Sequence, residues 1–386
     1  MTSTAWIWTS PTWPKLTYDP ERLAGPLGRA RTEFGRLFGK AEAIGAAELS
    51  LVQRDVWSGE AMATAAIEGE TLELASVRSS VARRLGITLD FVTSAPRNVE
   101  GLLDVMESAV TDWNSELTEE RLCRWQAALF PGGGSALRSI DIGGFRGHAD
   151  PMQIVSGPIG HEAVHYVAPP SAAVRAEMRS FLDWFNRTRE TSLDGIVRAG
   201  LSHVWFESIH PFEDGNGRVG RAVVDMALAQ DARAATRLHG VSAQMQRRQT
   251  EYYDALNHAQ RGAGEVTAWL EWFTNLVADS CRASAALIDE ALVRARFWTE
   301  HKHVPLNERQ RKVLNRMLEA GPGRYEGGLT PRKYVGTTDA SKATATRDIA
   351  DLVNKGLLVP GKAAGRSTYY NLTLPGWSWP SGETDS

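Results

Sequence analysis

Residues 210–221 read HPFEDGNGRVGR, and this stretch decides how the rest of the chain is interpreted. Glycines flank Asn216 on both sides, so the backbone there can adopt positive φ and approach a ligand closely. The residues that follow favour a helix. Backbone N–H groups at such a turn form an anion-binding nest, and the helix N-terminus adds partial positive charge. The sequence therefore predicts a phosphate site at a junction between a loop and a helix.

The charged residues of this stretch suit the phosphates of a nucleotide. Arg218 and Arg221 lie three residues apart and hence on one helical face, and guanidinium groups bind phosphate oxygens bidentately. Asp214 lies at the loop entrance, where a Mg²⁺ that bridges phosphates needs a carboxylate. His210 can accept a proton near neutral pH. Each feature alone is more often an ordinary turn, surface or structural residue, but their order within one short segment favours a nucleotide site. The segment is neither a Walker A loop nor a protein-kinase glycine loop.

The composition is that of an ordinary globular protein. The 386 residues suggest two or three domains, and the net charge of −3 gives no global attraction to nucleic acids or anionic membranes. Cys123 and Cys281 fit no metal-ligand pattern and are expected to be small buried residues. The N-terminal residues do not follow the pattern of a signal peptide, and no apolar run approaches the roughly 20 residues of a membrane span. We therefore expect a cytoplasmic protein that does not engage a membrane.

Helical periodicity dominates the chain before residue 300, which indicates a mainly α fold. It predicts helices within 20–85, 98–130, 171–185, 193–209, 216–229 and 251–293. Two apolar stretches, 152–156 and 163–167, flank a Gly-Pro-Ile-Gly turn and predict a β-hairpin. Residues 1–20 carry three tryptophans among prolines. They resemble an extended arm, and we expect its aromatic side chains to pack on their own domain rather than on a partner.

After residue 300 the order of predicted elements is helix, helix, helix, hairpin, which is that of a winged helix-turn-helix domain over residues 300–380. Its third helix begins near Ser341, and the side chains on it that suit a DNA major groove are Lys342, Thr344 and Arg347. Lys362 and Arg366 on the wing could touch phosphates. A winged helix used for protein contacts or dimerisation is an equal alternative, because the module lacks a strong basic run.

The stretch 210–221 matches the Fic family signature HPFx(D/E)GNGRxxR at every fixed position, and the chain is identified as a member of that family on this resemblance. Residues 144–146, Gly-Phe-Arg, and the hairpin at 152–167 resemble the family's flap and its approach. The resemblance covers about residues 100–275. It implies an N-terminal helical region at 1–98, a Fic-type helical catalytic domain at 99–299, and the winged helix beyond.

The resemblance implies transfer of AMP from ATP to a Tyr, Thr or Ser hydroxyl of a protein. His210 would be the general base, Phe212 would anchor the loop in the core, and Asp214 would hold Mg²⁺. The flap residues Met152, Gln153, Ile154, Val155 and Ser156 would add a target peptide edge to edge. The implied ATP-binding residues are Gly215, Asn216 and Gly217 around the α-phosphate, Arg218 and Arg221 on the outer phosphates, Tyr252 and Tyr253 beside the adenine, and Gln260 where relatives often have Asn.

Gly217 narrows the chemistry that the resemblance implies. The Doc branch of the superfamily phosphorylates its target and has Lys at this position. A bulky Lys would block the space for the α-phosphate, and the nucleotide would bind in the opposite orientation. Gly217 therefore favours AMP transfer over phosphate transfer.

Residues 64–69, TAAIEG, resemble the family's inhibitory motif (S/T)xxxE(G/N). The resemblance implies that Glu68 pairs with Arg221 and so occupies the partner of the γ-phosphate, which turns the α-phosphate of bound ATP out of line. The motif alone is also compatible with an ordinary acidic residue at a helix end. Whether Glu68 also supports removal of AMP stays open.

Two classes of function follow from the sequence. The first is a self-inhibited, Mg²⁺-dependent adenylyltransferase that acts on ATP and a protein, including itself, and forms a homodimer. The second is a DNA-binding transcriptional regulator whose Fic core senses nucleotide and turns over little. The intact His210 favours the first class, because a pure sensor needs no base.

Overall fold

The computed structural model describes residues 6–88, 93–133, 140–156, 163–235, 238–361 and 368–378. Contacts between these residues separate two compact units, Met1–Leu287 and Ile288–Ser386. Helices predominate in both, which confirms the mainly α fold class. The domain boundaries placed at 98, 299 and 380 stay predictions. None of the described helices is both long enough and apolar enough to cross a membrane.

The helices that begin in the first unit follow the predicted order. They are α1 (Pro20–Ala43), α2 (Ala46–Ile67), α3 (Leu74–Arg84), α4 (Arg97–Thr111), α5 (Glu119–Ala128), α6 (Ser171–Arg187), α7 (Gly195–Ile209), α8 (Asn216–Ala232), α9 (Val241–Arg247), α10 (Gln249–Ala259) and α11 (Thr267–Glu300). Short 3₁₀ turns lie at Ile7–Thr9 and Thr188–Glu190.

Helices α7 and α8 form the centre of the first unit. Every residue of α7 from Ile196 to Ile209 is buried, so this helix has no solvent face and must be surrounded by other elements. Helix α8 is buried from Arg218 to Gln230. Asp194 starts α7 by accepting hydrogen bonds from the N–H groups of Ile196 and Val197. The predicted phosphate segment joins these two helices, so its backbone is supported from both ends.

The predicted hairpin is confirmed. Strands β1 (Gln153–Ser156) and β2 (Ala163–Val167) pair antiparallel, with Gln153 opposite Val167. A bulge between Ile154 and Val155 shifts the register. The turn at 157–162 lies outside the described residues.

The prediction of continuous helix through 251–293 is wrong in one place, because α10 ends at Ala259 and α11 begins only at Thr267. Gly262 and Gly264 have φ of 88° and 89°, a left-handed conformation that interrupts a helix. The interruption receives the N-terminal segment, since Thr17 N donates to Gly264 O at 2.9 Å.

The N-terminal segment packs on its own unit, as expected. Trp8 Nε1 donates to the carbonyl of Val167 at 2.7 Å, and the Trp6 ring packs edge-on against Tyr166 at 5.3 Å. Ile7 N donates to the carbonyl of Gln260 at 2.9 Å. The arm therefore supports both the hairpin and the turn after α10.

The second unit has the predicted order of elements. It contains α12 (Glu308–Ala320), α13 (Pro331–Thr338), α14 (Lys342–Asn354), β3 (Leu358–Pro360) and β4 (Tyr370–Leu372), and the two strands pair antiparallel. The buried Asp348 accepts hydrogen bonds from Arg309 Nε at 3.0 Å and Tyr334 Oη at 2.8 Å, which ties α14 to the other two helices. Lys362 and Arg366 lie outside the described residues.

Candidate active site

The loop between α7 and α8 is held by its own side chains. His210 ends α7 in the left-handed region with φ of 51°, and Gly215 with φ of 86° opens α8. Phe212 is fully buried and packs against Phe145 at 5.4 Å between ring centroids. The Asn216 side chain accepts from Phe212 N at 2.9 Å and donates to Phe212 O at 2.8 Å. Asn216 therefore braces the loop with its side chain, which leaves its backbone N–H for a ligand.

Arg146 braces the same loop from outside. Its guanidinium donates to the carbonyls of His210 at 2.8 Å, Pro169 at 2.6 Å and Ile209 at 3.1 Å, and the side chain is buried. From the sequence, Arg146 was identified only as part of the segment that precedes the flap. Apart from Ser171 Oγ, its partners are backbone carbonyls, which carry no mark in the sequence, so this role could not be predicted.

The N-terminus of α8 provides an anion site. The first hydrogen bond within the helix joins Val219 N to Gly215 O at 3.0 Å, so the N–H groups of Asn216, Gly217 and Arg218 precede the helical ladder. A Cβ at position 217 would lie 2.3 Å from Glu68 Oε1 and 3.0 Å from Arg221 Nη1. Glycine is thus required for an anionic group to approach the helix as closely as Glu68 does.

Residues of the segment 64–69 form hydrogen bonds with the Arg221 side chain. Arg221 Nη2 lies 2.7 Å from Glu68 Oε1, Nε donates to Thr64 Oγ1 at 2.7 Å, and Nη2 donates to Thr64 O at 3.1 Å. Burial alone would raise the pKa of Glu68, but the charge and hydrogen bond of Arg221 lower it below the usual value. The same pairing raises the pKa of the buried Arg221. The carboxylate of Glu68 therefore stays ionised, paired with Arg221 and close to Gly217 at the start of α8.

A second carboxylate reaches the other arginine. Gly69 has φ of 77° and lets the chain reverse after α2, so that Glu70 N donates to Ala65 O at 2.9 Å. Glu70 Oε1 then lies 2.7 Å from Arg218 Nη1. Sequence reasoning missed Glu70, although a second acid two residues beyond Glu68, directly after Gly69, was a usable signal. Both arginines of the phosphate segment are therefore paired with carboxylates from one turn.

His210 is poised to accept a proton. Burial, and then the charge of Arg146, lower the pKa of His210 to about 4. The imidazole is therefore neutral at physiological pH, the state that a general base requires. Its Nδ1 atom lies 3.7 Å from Oε2 of Glu207, which is located one helical turn earlier on α7.

Asp214 borders a groove of about 540 Å³ between the loop and the hairpin. Its Oδ1 accepts from Gly215 N at 2.6 Å and lies 3.8 Å from Arg218 Nη2. Flap residues that line the groove include Met152, Gln153 and Val155. The other flap residues are placed by the strand register, Ile154 opposite Tyr166 and Ser156 opposite Ala163. No cluster of three or more metal-ligating His, Cys, Asp or Glu side chains occurs among the described residues.

The two tyrosines of α10 lie beside the turn that ends the segment 64–69. Their rings are 5.1 Å apart. Tyr252 is buried and its hydroxyl lies 3.0 Å from His203 Nε2. Tyr253 is 41% exposed and donates to the carbonyl of Ile67 at 3.3 Å. Gln260 is buried at the end of α10, and no contact in the described part of the chain joins it to the phosphate segment.

Comparisons with known proteins agree with this geometry. A family model described as Fic/DOC family matches residues 116–228, and one described as a domain of unknown function, DUF4172, matches residues 6–87. A probable protein adenylyltransferase of Aquifex aeolicus is 33% identical over 95 residues, which are 25% of this chain and 27% of that protein. The protein adenylyltransferase Fic of Drosophila willistoni is 34% identical over 85 residues, 21% of this chain and 17% of that protein. The chain thus spans about a quarter or less of the length of these curated relatives.

Solved structures share the fold. A Fic family protein from Desulfovibrio desulfuricans is 22% identical with a TM-score of 0.51, and the match covers 90% of this chain and 96% of that one. A Fic domain containing signaling protein from Bacteroides thetaiotaomicron is 15% identical with a TM-score of 0.52, covering 68% of this chain and 97% of that one. The family model, the relatives and the fold agree: residues 116–228 of this chain form a domain of the Fic/DOC family.

Proposed function

We propose that this chain is a protein adenylyltransferase that transfers AMP from ATP to a protein hydroxyl. One observation carries the proposal. A neutral His210 ends α7, and the next helix, α8, carries two arginines that are both paired with carboxylates. Carboxylates and phosphates both accept charge-assisted hydrogen bonds from arginine, so Glu68 and Glu70 stand where phosphate oxygens would bind. The curated relatives named protein adenylyltransferase match this chain at 33–34% identity over 85–95 residues, which supports the same activity.

In the proposed reaction, residues of the loop and of the α8 N-terminus each have one role. The target hydroxyl oxygen attacks the α-phosphorus, and the bond from that phosphorus to the oxygen bridging to the β-phosphate breaks. Nε2 of His210 takes the hydroxyl proton, and pyrophosphate leaves with the electron pair of the broken bond. The N–H groups at the start of α8 hold the α-phosphate, while Arg218 and Arg221 neutralise the outer phosphates. The protein thus contributes positioning and charge stabilisation.

Mg²⁺ fits the site through Asp214. Magnesium at nucleotide sites is commonly held by one or two carboxylates together with substrate phosphates. Asp214 supplies one such carboxylate at the entrance of the phosphate loop, and its Oδ2 has no hydrogen-bond or ion-pair partner among the described residues. Bound there, the ion would neutralise phosphate charge, and Asp214 would orient it beside the α8 N-terminus.

The inhibitory role proposed for residues 64–69 follows from the same contacts. With Arg221 bound by Thr64 and Glu68, ATP must displace Glu68 or bind without its γ-phosphate on Arg221. Either outcome suppresses productive transfer. Whether the same glutamate supports removal of AMP can be measured as loss of AMP from modified protein in ATP-free buffer. The homodimer stays a prediction.

The transfer activity is tested by intact-mass analysis. The Glu68→Gly chain is incubated with ATP and Mg²⁺, and the expected product is a gain of one AMP on the chain or on an added protein. A gain of one phosphate instead would reject adenylyl transfer and assign the site to phosphate transfer. No gain on the chain or on protein from a cell extract would leave nucleotide binding alone as the function.

Glu70→Gln is expected to tighten ATP binding about 1.4- to five-fold, because exposed ion pairs are worth about 0.2–1 kcal/mol. The Glu70 side chain is 40% exposed, so the smaller end of an ion pair's range applies. Isothermal titration calorimetry with ATP and Mg²⁺ measures the change. Unchanged affinity in Glu70→Gln, beside a gain in Glu68→Gly, would show that Glu70 does not compete with the nucleotide.

For the second unit we propose a winged helix that binds DNA, and this supports the alternative function of a nucleotide-sensing regulator. Its third helix, α14, carries Lys342 and Arg347 on its exposed side, with the partly exposed Thr344 between them. Ser341 starts the helix by accepting from Thr344 N at 3.2 Å. These side chains suit base edges and phosphates of a major groove.

DNA binding by this unit is expected to weaken steeply as salt rises, since each phosphate contact releases counterions. The measurement is a titration of labelled genomic DNA fragments with the full chain at increasing salt. Lys342→Ala and Arg347→Ala together should lower affinity about ten-fold or more, at about 1–3 kcal/mol for a base contact. Binding insensitive to salt, or unaffected by both changes, would assign the unit to protein contacts.

A further inference from the structure

Glu207 is a buried acid in the most apolar helix of the first unit. Its side chain is 7% exposed, and α7 carries it one turn before His210. A buried carboxyl without full hydrogen bonding costs several kcal/mol, and such a residue persists only where a partner or a function compensates. A purely structural Glu207 would need partners for both carboxyl oxygens.

Glu207 and His210 each have an unsatisfied atom. Glu207 Oε1 and His210 Nδ1 are buried without a hydrogen-bond partner among the described residues. Oε2 of the same carboxyl lies 3.7 Å from Nδ1, about 0.5 Å beyond the range of a normal hydrogen bond. Hydrogen bonds between catalytic groups are often long before substrate binds and tighten in the complex. A small rotation that closes this gap would give His210 Nδ1 the partner that it lacks.

We propose that Glu207 is the positioning residue of His210: its carboxylate accepts the Nδ1–H of the imidazole and leaves Nε2 free to take the target's proton. The same carboxylate stabilises the imidazolium formed when that proton arrives. An acid that orients a histidine base in this way fixes the tautomer and does not itself become protonated during the reaction. The proposal rests on the adenylyl transfer proposed above and names a residue that contacts no substrate.

The direction of the hydrogen bond depends on the ionisation of Glu207. Burial raises the pKa of Glu207 to about 8, the charge of Arg221 opposes this, and the charge of Glu68 adds to it. A protonated carboxyl donates to Nδ1 and leaves the proton on Nε2, the wrong tautomer for a base. When Glu207 ionises, its carboxylate accepts a hydrogen bond from Nδ1–H instead. The rate of AMP transfer should therefore increase as pH rises through the ionisation of Glu207. The charged or titratable side chains that face Glu207 and His210 are Arg146, Arg221, Glu68, Tyr252 and Tyr253.

Two other groups could account for the arrangement. The backbone carbonyl of Glu207 lies near the His210 ring and opposes the lowering of the pKa of His210. If that carbonyl alone orients the ring, changing the side chain has no effect. The second alternative is that Glu207 acts through Arg221. In that case, changing Glu207 would alter ATP binding. A variant that keeps the size of Glu207 separates these cases.

The experiment compares Glu207→Gln with its parent in the Glu68→Gly background, using the full chain. We expect kcat to fall about 10- to 100-fold with KM for ATP unchanged, and the alkaline rise in rate to disappear. Glu60→Gln is the matched control. It changes another buried glutamate, which accepts from Ser242 N and Ala243 N far from His210, and it should alter stability without altering the pH profile.

A readout that does not depend on turnover accompanies the kinetics. The tautomer of His210 is followed by nitrogen NMR of histidine-labelled protein, with His210 assigned by its loss in His210→Asn. We expect Nδ1–H to become dominant as pH rises, and this change to vanish in Glu207→Gln. An unchanged kcat and tautomer, or a rise in KM alone, overturns the proposal. If the parent transfers no AMP, the tautomer still decides the role of Glu207 separately from the proposed function.

Discussion

Replacing Glu68 with glycine is expected to raise auto-AMPylation about 10- to 100-fold, because a hydrogen bond between charged groups contributes about 1.5–3 kcal/mol. The contact to be removed is the 2.7 Å pair between Glu68 Oε1 and Arg221 Nη2. The Arg221 side chain is only 3% exposed, while about a quarter of the Glu68 side chain is exposed, so solvent screens the pair in part. Without Glu68, Arg221 has one fewer competitor for the γ-phosphate. The measurement is incorporation of label from ATP at fixed Mg²⁺.

The sign of the pH dependence follows from the pKa of Glu68. That pKa is lowered in the folded chain, so the stabilising pair is present above the usual value of 4.5 and is lost only as pH falls through the lowered value. Changes of pH near neutrality therefore cannot release Glu68 by protonation. We expect the ratio of ATP affinity in Glu68→Gly to that in the wild type to stay constant across about pH 6 to 8.

Glu116→Gly is a matched control, since it removes an exposed carboxylate from the loop between α4 and α5, outside the site. Its transfer rate should equal that of the wild type. Equal rates in Glu68→Gly and Glu116→Gly would mean that Arg221 is accessible to ATP despite the ion pair. The inhibitory role of the segment 64–69 would then be abandoned.

The sequence predicted the parts of the site that are contiguous. The loop 210–221 carries the proposed base, the proposed anion site and both arginines in one segment, so residue types and spacing were sufficient to propose them. Helical periodicity likewise placed most helices, because an amphipathic face repeats along the chain. Glu68 was predicted only through the inhibitory motif, and its contact in the structure has the expected partner, Arg221; the contact between Thr64 and Arg221 was not predicted.

The rest depends on residues that are distant in sequence. Glu70 pairs with Arg218 from 148 positions away, and Arg146 reaches the carbonyl of His210 from 64 positions away. Such contacts exist only once the helices have packed. The break after α10 did have a local signal in Gly262 and Gly264, and only the pairing of Gly264 with Thr17 of the N-terminal arm depends on packing. Glu207 did leave a local signal, an acid within an apolar helix and three residues before the base.

His210→Asn in the Glu68→Gly background is expected to lower kcat for AMP transfer about 10²- to 10⁴-fold, the usual contribution of a general base. ATP affinity should change less than about two-fold, because the groups proposed to bind phosphate belong to residues 215–221 and a two-fold change is only about 0.4 kcal/mol. Label incorporation measures kcat, and calorimetry measures ATP binding. His258→Asn, at an exposed position on α10, serves as the matched control and should match the parent.

Asparagine is the informative replacement because of the backbone at position 210. The residue has φ of 51°, a conformation that asparagine tolerates better than alanine does. The backbone N–H bond to Phe206 O and the bond from Arg146 to the carbonyl of His210 do not involve the imidazole and should persist. A loss of kcat with normal ATP binding and normal thermal unfolding would then measure the base alone. If His210→Asn retained a tenth or more of the parent's kcat, the proton would have to leave by another route, and the role of His210 as base would be rejected.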